Sequence, residues 1–259
     1  MKHVPLTNQL LRLTTFTSFD FFRYYVDLCT LLGFLTANKS LEFLRISCRN
    51  IVGETSCTRV SLPNARYVKL SSLMVSPVLE RLCLPPTANI SIQVLPGGVF
   101  YPPLRDIPPQ SLDDLSGIAR AASLQYGVTQ SIAQVFSGSN LAGGSFKVQG
   151  LFNRDFPADF RPLDMSGTRE FCLSKAHSVP PLFCKSDYNA LSSRMSGLGT
   201  PVLARQTMVG HVLSMIDKED LLPALSTVSI VSLPSSAISP LIKLASQRKT
   251  NPKTSDICV

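Results

Sequence analysis

The residues able to act as nucleophiles, bases or metal ligands are few and scattered. Histidine stands only at His3, His177 and His211. His211 falls in an apolar-periodic stretch, and His177 lies in a loop ahead of Pro180-Pro181. A Ser-His-Asp site is defined by space, not by chain order, but spacing places no orienting carboxylate, Asp187 included, beside either ring. The strained GxSxG turn of serine hydrolases is absent. Seven cysteines stand at 29, 48, 57, 83, 172, 184 and 258, an odd number with no CxxC. The closest pairs, Cys48 with Cys57 and Cys172 with Cys184, lack zinc-finger spacing with a matching second half. They read as reduced thiols in or near a core. Gly97-Gly98 and Gly143-Gly144 lack a phosphate-loop context and read as turns. Asp217, Glu219 and Asp220, with Lys218 among them, read as a solvated helix end or loop. Asp113-Asp114 after Ser111 reads as a helix or turn start. The expectation is no catalytic residue, no metal ligand and no cofactor.

Charge and composition narrow the partner class. Lys plus Arg is 25 and Asp plus Glu is 17, a net charge of +8. The excess is spread along the chain, with no basic stripe carrying aromatic platforms, so no nucleic-acid partner is expected. The densest basic stretch, Lys243, Arg248, Lys249 and Lys253, reads as a solvated helix end and tail. Apolar residues are 44% and charged residues 16%, too apolar for a disordered chain. The most apolar window, Phe19 to Leu35, contains Asp20, Arg23 and Asp27, so it is too interrupted to span a bilayer. Residues 1–13 have no continuous apolar run of the secretory type. An intracellular location, cytoplasmic or nuclear, is expected, with no membrane partner.

The elements that must position any surface site repeat along the chain. Leu41-Glu-Phe-Leu44-Arg-Ile46 has the form LxxLxL, and Ala65-Arg-Tyr-Val68-Lys-Leu70 repeats it 24 residues later. Asn89-Ile-Ser-Ile92-Gln-Val94 follows after another 24. Leu44, Val68 and Ile92 therefore align, as do Ile46, Leu70 and Val94. Alternation at these positions is the period of a strand with one buried face. The form returns at Thr168-Arg-Glu-Phe171-Cys-Leu173, Leu198-Gly-Thr-Pro201-Val-Leu203 and Leu225-Ser-Thr-Val228-Ser-Ile230. A period of 24 lies in the leucine-rich-repeat range.

The connectors predict short helices. Tyr25, Leu28, Leu32 and Leu35 have helical spacing, with Asn38 or Ser40 as the stop. Ser76-Pro77 opens a second helix through Leu79, Leu82 and Leu84, ended by Pro85-Pro86. Between Ile46 and Ala65 an irregular connector is expected. Further helical spacing occurs at Tyr188, Leu191 and Met195, at Met208, Val212 and Met215, and at Ile238 to Ala245, a candidate cap for the array. Residues 95–167 break the pattern. Prolines make 95–110 a loop, and 152–163 is another. Ser123 to Gly127, Ser131 to Ser137 and Ser145 to Phe152 read as strands, the last two a hairpin. The predicted organisation is one domain over 1–250 with an irregular β-rich middle at 95–167, and a flexible tail at 251–259.

The predicted fold is α/β: an irregular leucine-rich-repeat solenoid, a curved, mostly parallel sheet with short helices on its convex side. Its functional surface is the set of strand side chains that alternate with the buried ones. These are Phe43, Arg45, Tyr67, Lys69, Ser91, Gln93, Arg169 and Glu170, with Thr227 and Ser229 on the last strand. Arg45, Tyr67 and Lys69 form the best candidate contact patch, Arg and Tyr being types enriched at interface hot spots.

Taken in order, Leu31-Leu32-Gly-Phe-Leu35, Ser40-Leu-Glu-Phe-Leu-Arg-Ile46, Val60-Ser-Leu-Pro-Asn-Ala-Arg66 and Leu82-Cys-Leu-Pro-Pro86 resemble a known family. Thr168-Arg-Glu-Phe171, Leu222-Pro-Ala-Leu-Ser-Thr-Val228 and the segment Ser239 to Lys249 extend the likeness over most of 25–250. The family is the leucine-rich-repeat portion of F-box-type proteins of mushroom-forming fungi. The resemblance implies a non-enzymatic scaffold that presents a surface to a protein partner and recruits substrates to a ubiquitin ligase. Residues 1–40 lack the Leu-Pro-x-Glu start of an F-box. A ligase adaptor is therefore a partner only if an F-box lies upstream. A degenerate or truncated paralogue without a partner is the alternative, and a hydrolase a remote third.

Overall fold

The computed structural model describes residues 18–53, 58–95, 120–128, 134–150, 164–175, 193–195, 197–204 and 229–230, with Ala190, Ser239 and Ile242 singly. The chain enters as β1 (Ser18–Asp27), α1 (Leu28–Ala37) and β2 (Phe43–Val52). Next come β3 (Val60–Ser61), β4 (Tyr67–Ser72), α2 (Ser76–Leu79), β5 (Leu82–Cys83) and β6 (Asn89–Val94). Then follow β7 (Ser123–Val128), β8 (Gln134–Ser139), β9 (Ser145–Gly150), β10 (Glu170–Lys175), β11 (Thr200–Ala204) and β12 (Ser229–Ile230). Ten of these strands form one sheet in the order β1-β2-β4-β6-β9-β8-β7-β10-β11-β12. Among the described residues the fold is mixed α/β with a mostly parallel sheet and few helices, and the sheet is not closed into a barrel.

Parallel pairing needs a crossover between the two strands, and α1 supplies one between β1 and β2. β1, β2, β4, β6 and β9 pair in parallel, as do β7, β10, β11 and β12. Among the described strands only β8 is reversed, antiparallel to both β7 and β9. The cause is the short turn Asn140–Gly144, since a turn this short can only join antiparallel strands.

Inward side chains form continuous rows. Leu44, Val68, Ile90 and Phe146 share one register, and Ile46, Leu70, Ile92 and Val148 the next. All eight are at most 3% exposed, and each fully buried aliphatic contributes roughly 1.5–3 kcal/mol. α1 covers this face beside β1, where the Phe19 and Phe34 rings lie 4.2 Å apart at 34°. Asp27 caps α1, its Oδ2 accepting the Thr30 N–H at 2.7 Å. Asn38 closes it, donating its backbone N–H to the Leu35 carbonyl at 3.1 Å and its amide to the Phe34 carbonyl at 2.8 Å.

A tight turn recurs before the parallel strands. The N–H of Leu41, Ala65, Ala88, Thr168 and Leu198 reaches the carbonyl three residues back, at 3.0 to 3.2 Å. Each of these five is buried. Leu44, Val68, Phe171 and Pro201 follow three residues later, reproducing the expected LxxL spacing. Phe171 pairs with Pro201, Leu173 with Leu203 and Leu203 with Ile230, as the spacings of 30 and 27 require.

The third repeat departs from its expected register. Val68 pairs with Ile90, not Ile92. Its lead residue is the buried Ala88, and one residue fewer separates lead from strand. Asn89, read as the lead, is exposed and sits on the outer face. The slip of two leaves the same side chains facing inward, because the strand period is two.

Other expectations also need correction. Tyr25 belongs to β1, which the helical reading absorbed, and α1 begins at Leu28. The helix expected through Leu84 is a single turn. Beyond it Leu82–Cys83 pairs with β3. Val60 and Leu62 donate their N–H groups to the Arg81 and Cys83 carbonyls at 2.7 and 3.0 Å. One turn of helix has little cooperative support, and the buried backbone of Val60–Leu62 needs those acceptors. The irregular connector after Ile46 is in fact strand as far as Val52. Ser76 is not the helix cap: Val75 holds that position, and Ser76 Oγ donates to Glu80 Oε1 at 3.2 Å.

The strands expected in 123–150 are present as β7, β8 and β9, with β8 and β9 a hairpin. They belong to the main sheet. The loops at 96–110 and 152–163, the helix at 208–215 and the tail at 251–259 lie outside the described residues. Of the helices expected near 188–195 and 238–245, Ala190, Ser239 and Ile242 are helical, whereas 193–195 is turn and irregular, so Met195 falls outside a helix and accepts the Leu198 N–H instead.

Candidate functional site

The outer face of the sheet carries what the inner rows leave over. One row across the strands reads Phe43, Tyr67, Asn89, Ser145, Ser139, Ser123, Glu170. The next reads Asp20, Arg45, Lys69, Ser91, Lys147, Ser137, Gln125, Cys172. A third includes Phe22, Ser47, Ser71, Gln93 and Gln149. Strand neighbours stand about 4.8 Å apart, so each row is a fixed array of side chains on hydrogen-bonded backbone.

Two features stand out on this face. The first is aromatic. Phe22 is 55% exposed, Phe43 47% and Tyr67 39%, all on adjacent strands. The Arg45 guanidinium lies 4.9 Å from the centre of the Phe22 ring, a cation–π contact. That contact draws Arg45 toward β1 and away from Lys69, its like-charged neighbour in the row, where direct opposition would destabilise the pair.

The second feature is a groove of about 380 Å³ over β4, β6 and β9. Lys69 and Lys147 flank Ser91 on its floor. Tyr67, Asn89 and Ser145 line one end, and Gln93 and Gln149 the other. Ser145 Oγ donates to Asn89 Oδ1 at 2.6 Å, and the Asn89 amide donates to the Arg66 carbonyl at 3.4 Å. Those bonds hold the end of the groove rigid across three strands. Beside them, at the strand entrances, Arg66 Nε and Glu42 Oε2 lie 3.3 Å apart at the surface.

The position of β9 builds this groove, and Asn140 fixes β9. Its amide donates to the Pro86 carbonyl at 2.8 Å, and its Oδ1 accepts the N–H of Ala142 and of Gly144 at 3.0 and 2.9 Å. The hairpin turn is thereby tied to the turn preceding β6, 54 residues away.

Of the residues expected on the contact surface, Phe43, Arg45, Tyr67, Lys69, Ser91 and Gln93 fall on neighbouring strands of this face. Glu170 shares the face, but on β10, four strands beyond β6 in the sheet order. Arg169 precedes β10 and is exposed in its approach, outside the alternating rows. Ser229 lies on β12, and Thr227 lies outside the described residues. Phe22, Lys147 and Gln149 were missed. Phe22 was hidden in the stretch read as leading into a helix. Lys147 and Gln149 were assigned to a strand, but no local signal places that strand beside β6.

The chemistry-bearing residues behave differently. Burial pushes the Cys48 thiol up, with the Ser72 hydrogen bond opposing, and burial pushes the Cys172 thiol up. Raised thiols are poor nucleophiles at neutral pH. Cys48, Cys83 and Cys172 are free. Cys29 is disulfide-bonded to a cysteine outside the described residues, which corrects the reading of all seven as reduced. Disulfides persist mainly in oxidising surroundings, so the expected intracellular location loses the support of the thiols. His3, His177, His211, Asp187 and the acidic cluster at 217–220 lie outside the described residues. Among the described residues, no group of three or more His, Cys, Asp or Glu is placed to hold a metal ion. No helix among them is long and apolar enough to cross a membrane.

Comparisons with protein-family models, with curated proteins and with solved structures find no match.

Proposed function

We propose that this chain is a non-enzymatic protein-interaction scaffold of the leucine-rich-repeat solenoid class, its outer sheet face the binding surface. The observation that carries the reading is the cluster of Phe22, Phe43, Arg45 and Tyr67, exposed together on three in-register strands. Tyr and Arg are enriched among the residues that dominate interface energetics, the aromatic rings have few rotamers to lose on binding, and Arg45 is already held over the Phe22 ring. The recurring turn with a buried lead residue supports the repeat class, since each unit then contributes one strand to a shared core. The relation to F-box substrate receptors rests on the sequence resemblance, and an adaptor is a partner only if an F-box lies upstream in the gene. Cytoplasmic or nuclear residence belongs to the same proposal, and the Cys29 disulfide is the observation that counts against it.

The test is a comparison of partners captured by the wild-type chain and by the triple variant Phe43→Ala, Arg45→Ala, Tyr67→Ala. A partner lost by the triple variant and kept by Met74→Ala, an exposed apolar change elsewhere, supports the scaffold. Identical capture by all three refutes this face as the site. Transcript sequencing upstream of Met1 tests the ligase relation: an in-frame F-box supports it, and a stop codon without one removes it.

A further inference from the structure

We infer that the groove over β4, β6 and β9 seats an acidic, extended peptide segment of a partner protein. This rests on the scaffold reading and names the partner's chemistry. Lys69 and Lys147 occupy the same register on strands either side of β6. Two strand spacings put their backbones about 9–10 Å apart. Both residues line the groove on either side of Ser91, and neither has an ion-pair partner among the described residues. An anion seated between them is attracted by both cations at once.

The rest of the lining suits a peptide. The side-chain amides of Gln93 and Gln149 make no hydrogen bonds to described residues, which leaves them for a ligand's backbone. Ser91 lies between the two cations with its hydroxyl likewise uncommitted. Among the described residues no carboxylate lines the groove, so nothing repels an acidic side chain. At one end Tyr67 belongs both to the groove and to the exposed aromatic cluster. A segment crossing from Phe43 and Tyr67 toward Lys147 meets an apolar anchor first and an anion seat next. The matching ligand alternates apolar and acidic residues.

The test uses the full chain and a fluorescein-labelled peptide of alternating glutamate and phenylalanine, followed by anisotropy. Wild type binds the probe, and added salt weakens binding as expected for exposed charges. The double variant Lys69→Gln, Lys147→Gln lowers affinity about tenfold or more. Lys39→Gln, at an exposed turn off this face, leaves it unchanged. Circular dichroism on each variant separates lost binding from lost fold, and the single variants Lys69→Gln and Lys147→Gln replace the double if it unfolds. No binding by wild type, or equal binding by the lysine variants, overturns the inference. So does equal binding of an oligothymidylate of the same charge, which marks a general polyanion surface. The acidic specificity fails alone if the Phe43, Arg45, Tyr67 variant still loses a partner while the probe does not bind. The scaffold reading fails as well if that variant loses nothing.

Discussion

Gly144→Ala is the substitution that tests how the sheet is assembled. A Cβ at this position overlaps the Pro86 carbonyl oxygen and meets the Ala88 carbonyl oxygen at 3.0 Å and the Pro86 carbonyl carbon at 3.1 Å. All three are backbone atoms, so no side chain can swing away. The next residue, Ser145, opens the β6–β9 pairing and donates its N–H to the Ala88 carbonyl at 3.3 Å. Relief of the contact must separate the hairpin from the turn before β6. That strips Asn140 of its bond to Pro86 and pulls the register apart where the groove begins. Gly143→Ala is the internal control. Its φ of 88° is left-handed, but nothing lies within 4 Å of the added methyl. Left-handed backbone costs an L-residue about 1–2 kcal/mol, reduced by about 0.4–1 from the stiffer unfolded chain. The expected net is about 1 kcal/mol for Gly143→Ala, and more than about 3 kcal/mol for Gly144→Ala, the range of steric and backbone disruption. Urea unfolding at constant m-value reads the difference as a shift in midpoint. A Gly144→Ala protein no less stable than the Gly143→Ala protein refutes the account of how β9 is docked.

Leu44→Ala, at 1% exposure in an inward row, is expected to cost about 2–5 kcal/mol. Arg45→Ala, one residue on, should cost no more than about 1 kcal/mol, the scale of its cation–π contact; equal losses in thermal unfolding would mean the faces are misassigned. The Asp164 carboxyl is held below the usual range, first by the Ser166 hydroxyl at 2.6 Å and then by the Ser166 N–H at 3.1 Å. A lowered folded pKa stabilises above the unfolded value, near pH 3.9, and that contribution is lost as pH falls through the folded value. The effect is small because the group is exposed, and Ser166→Ala should return the carboxyl toward its ordinary value in an NMR titration. Under native conditions a thiol reagent should label the half-buried Cys83 before the buried Cys48. Mass spectrometry without reductant should find Cys29 in a cross-linked peptide, and free Cys29 in protein from native source would refute the disulfide.

The strand pattern was legible wherever lead residue and alternation occurred together. Leu41 with Leu44 and Ile46, and Thr168 with Phe171 and Leu173, needed only local chemistry: a buried turn residue, then period two. Ala121 with Leu124 and Tyr126 follows the same form ahead of β7, with Ala as lead, and was read as a strand without its repeat. The third repeat was mis-set because Ala88 is small and inconspicuous, while the regular spacing of 24 favoured Asn89. β1 was lost for another reason. Its run Phe19-Asp-Phe-Phe-Arg-Tyr-Tyr-Val26 is aromatic and β-favouring, but Tyr25 also falls in helical phase with Leu28, Leu32 and Leu35. The discriminating signal is Asp27, a capping residue three before Thr30, which starts the helix after Tyr25 and not before it.

The candidate site was legible only in part, and the division has a physical cause. Alternation along β2, β4 and β6 names Arg45, Tyr67 and Lys69 as outward, because facing is a local property of a strand. Adjacency between distant strands is not local. Lys147 stands next to Ser91 because Asn140 reaches Pro86 across 54 residues of chain. Gly144 must also lack a side chain to let that turn approach. The only local traces are the turn residues Asn140 to Gly144 themselves, which announce a hairpin but not where it docks. Had β9 paired elsewhere, Lys69 would face solvent alone, and the groove with its second cation would not exist. The anion-seating property therefore belongs to the β6–β9 junction and to no single repeat. It follows that Gly144→Ala should weaken the acidic probe even with both lysines intact, whereas Leu44→Ala should weaken it only to the extent that the chain unfolds. Probe titrations of these two proteins, corrected for the folded fraction, separate a site made by the junction from one made by charge alone.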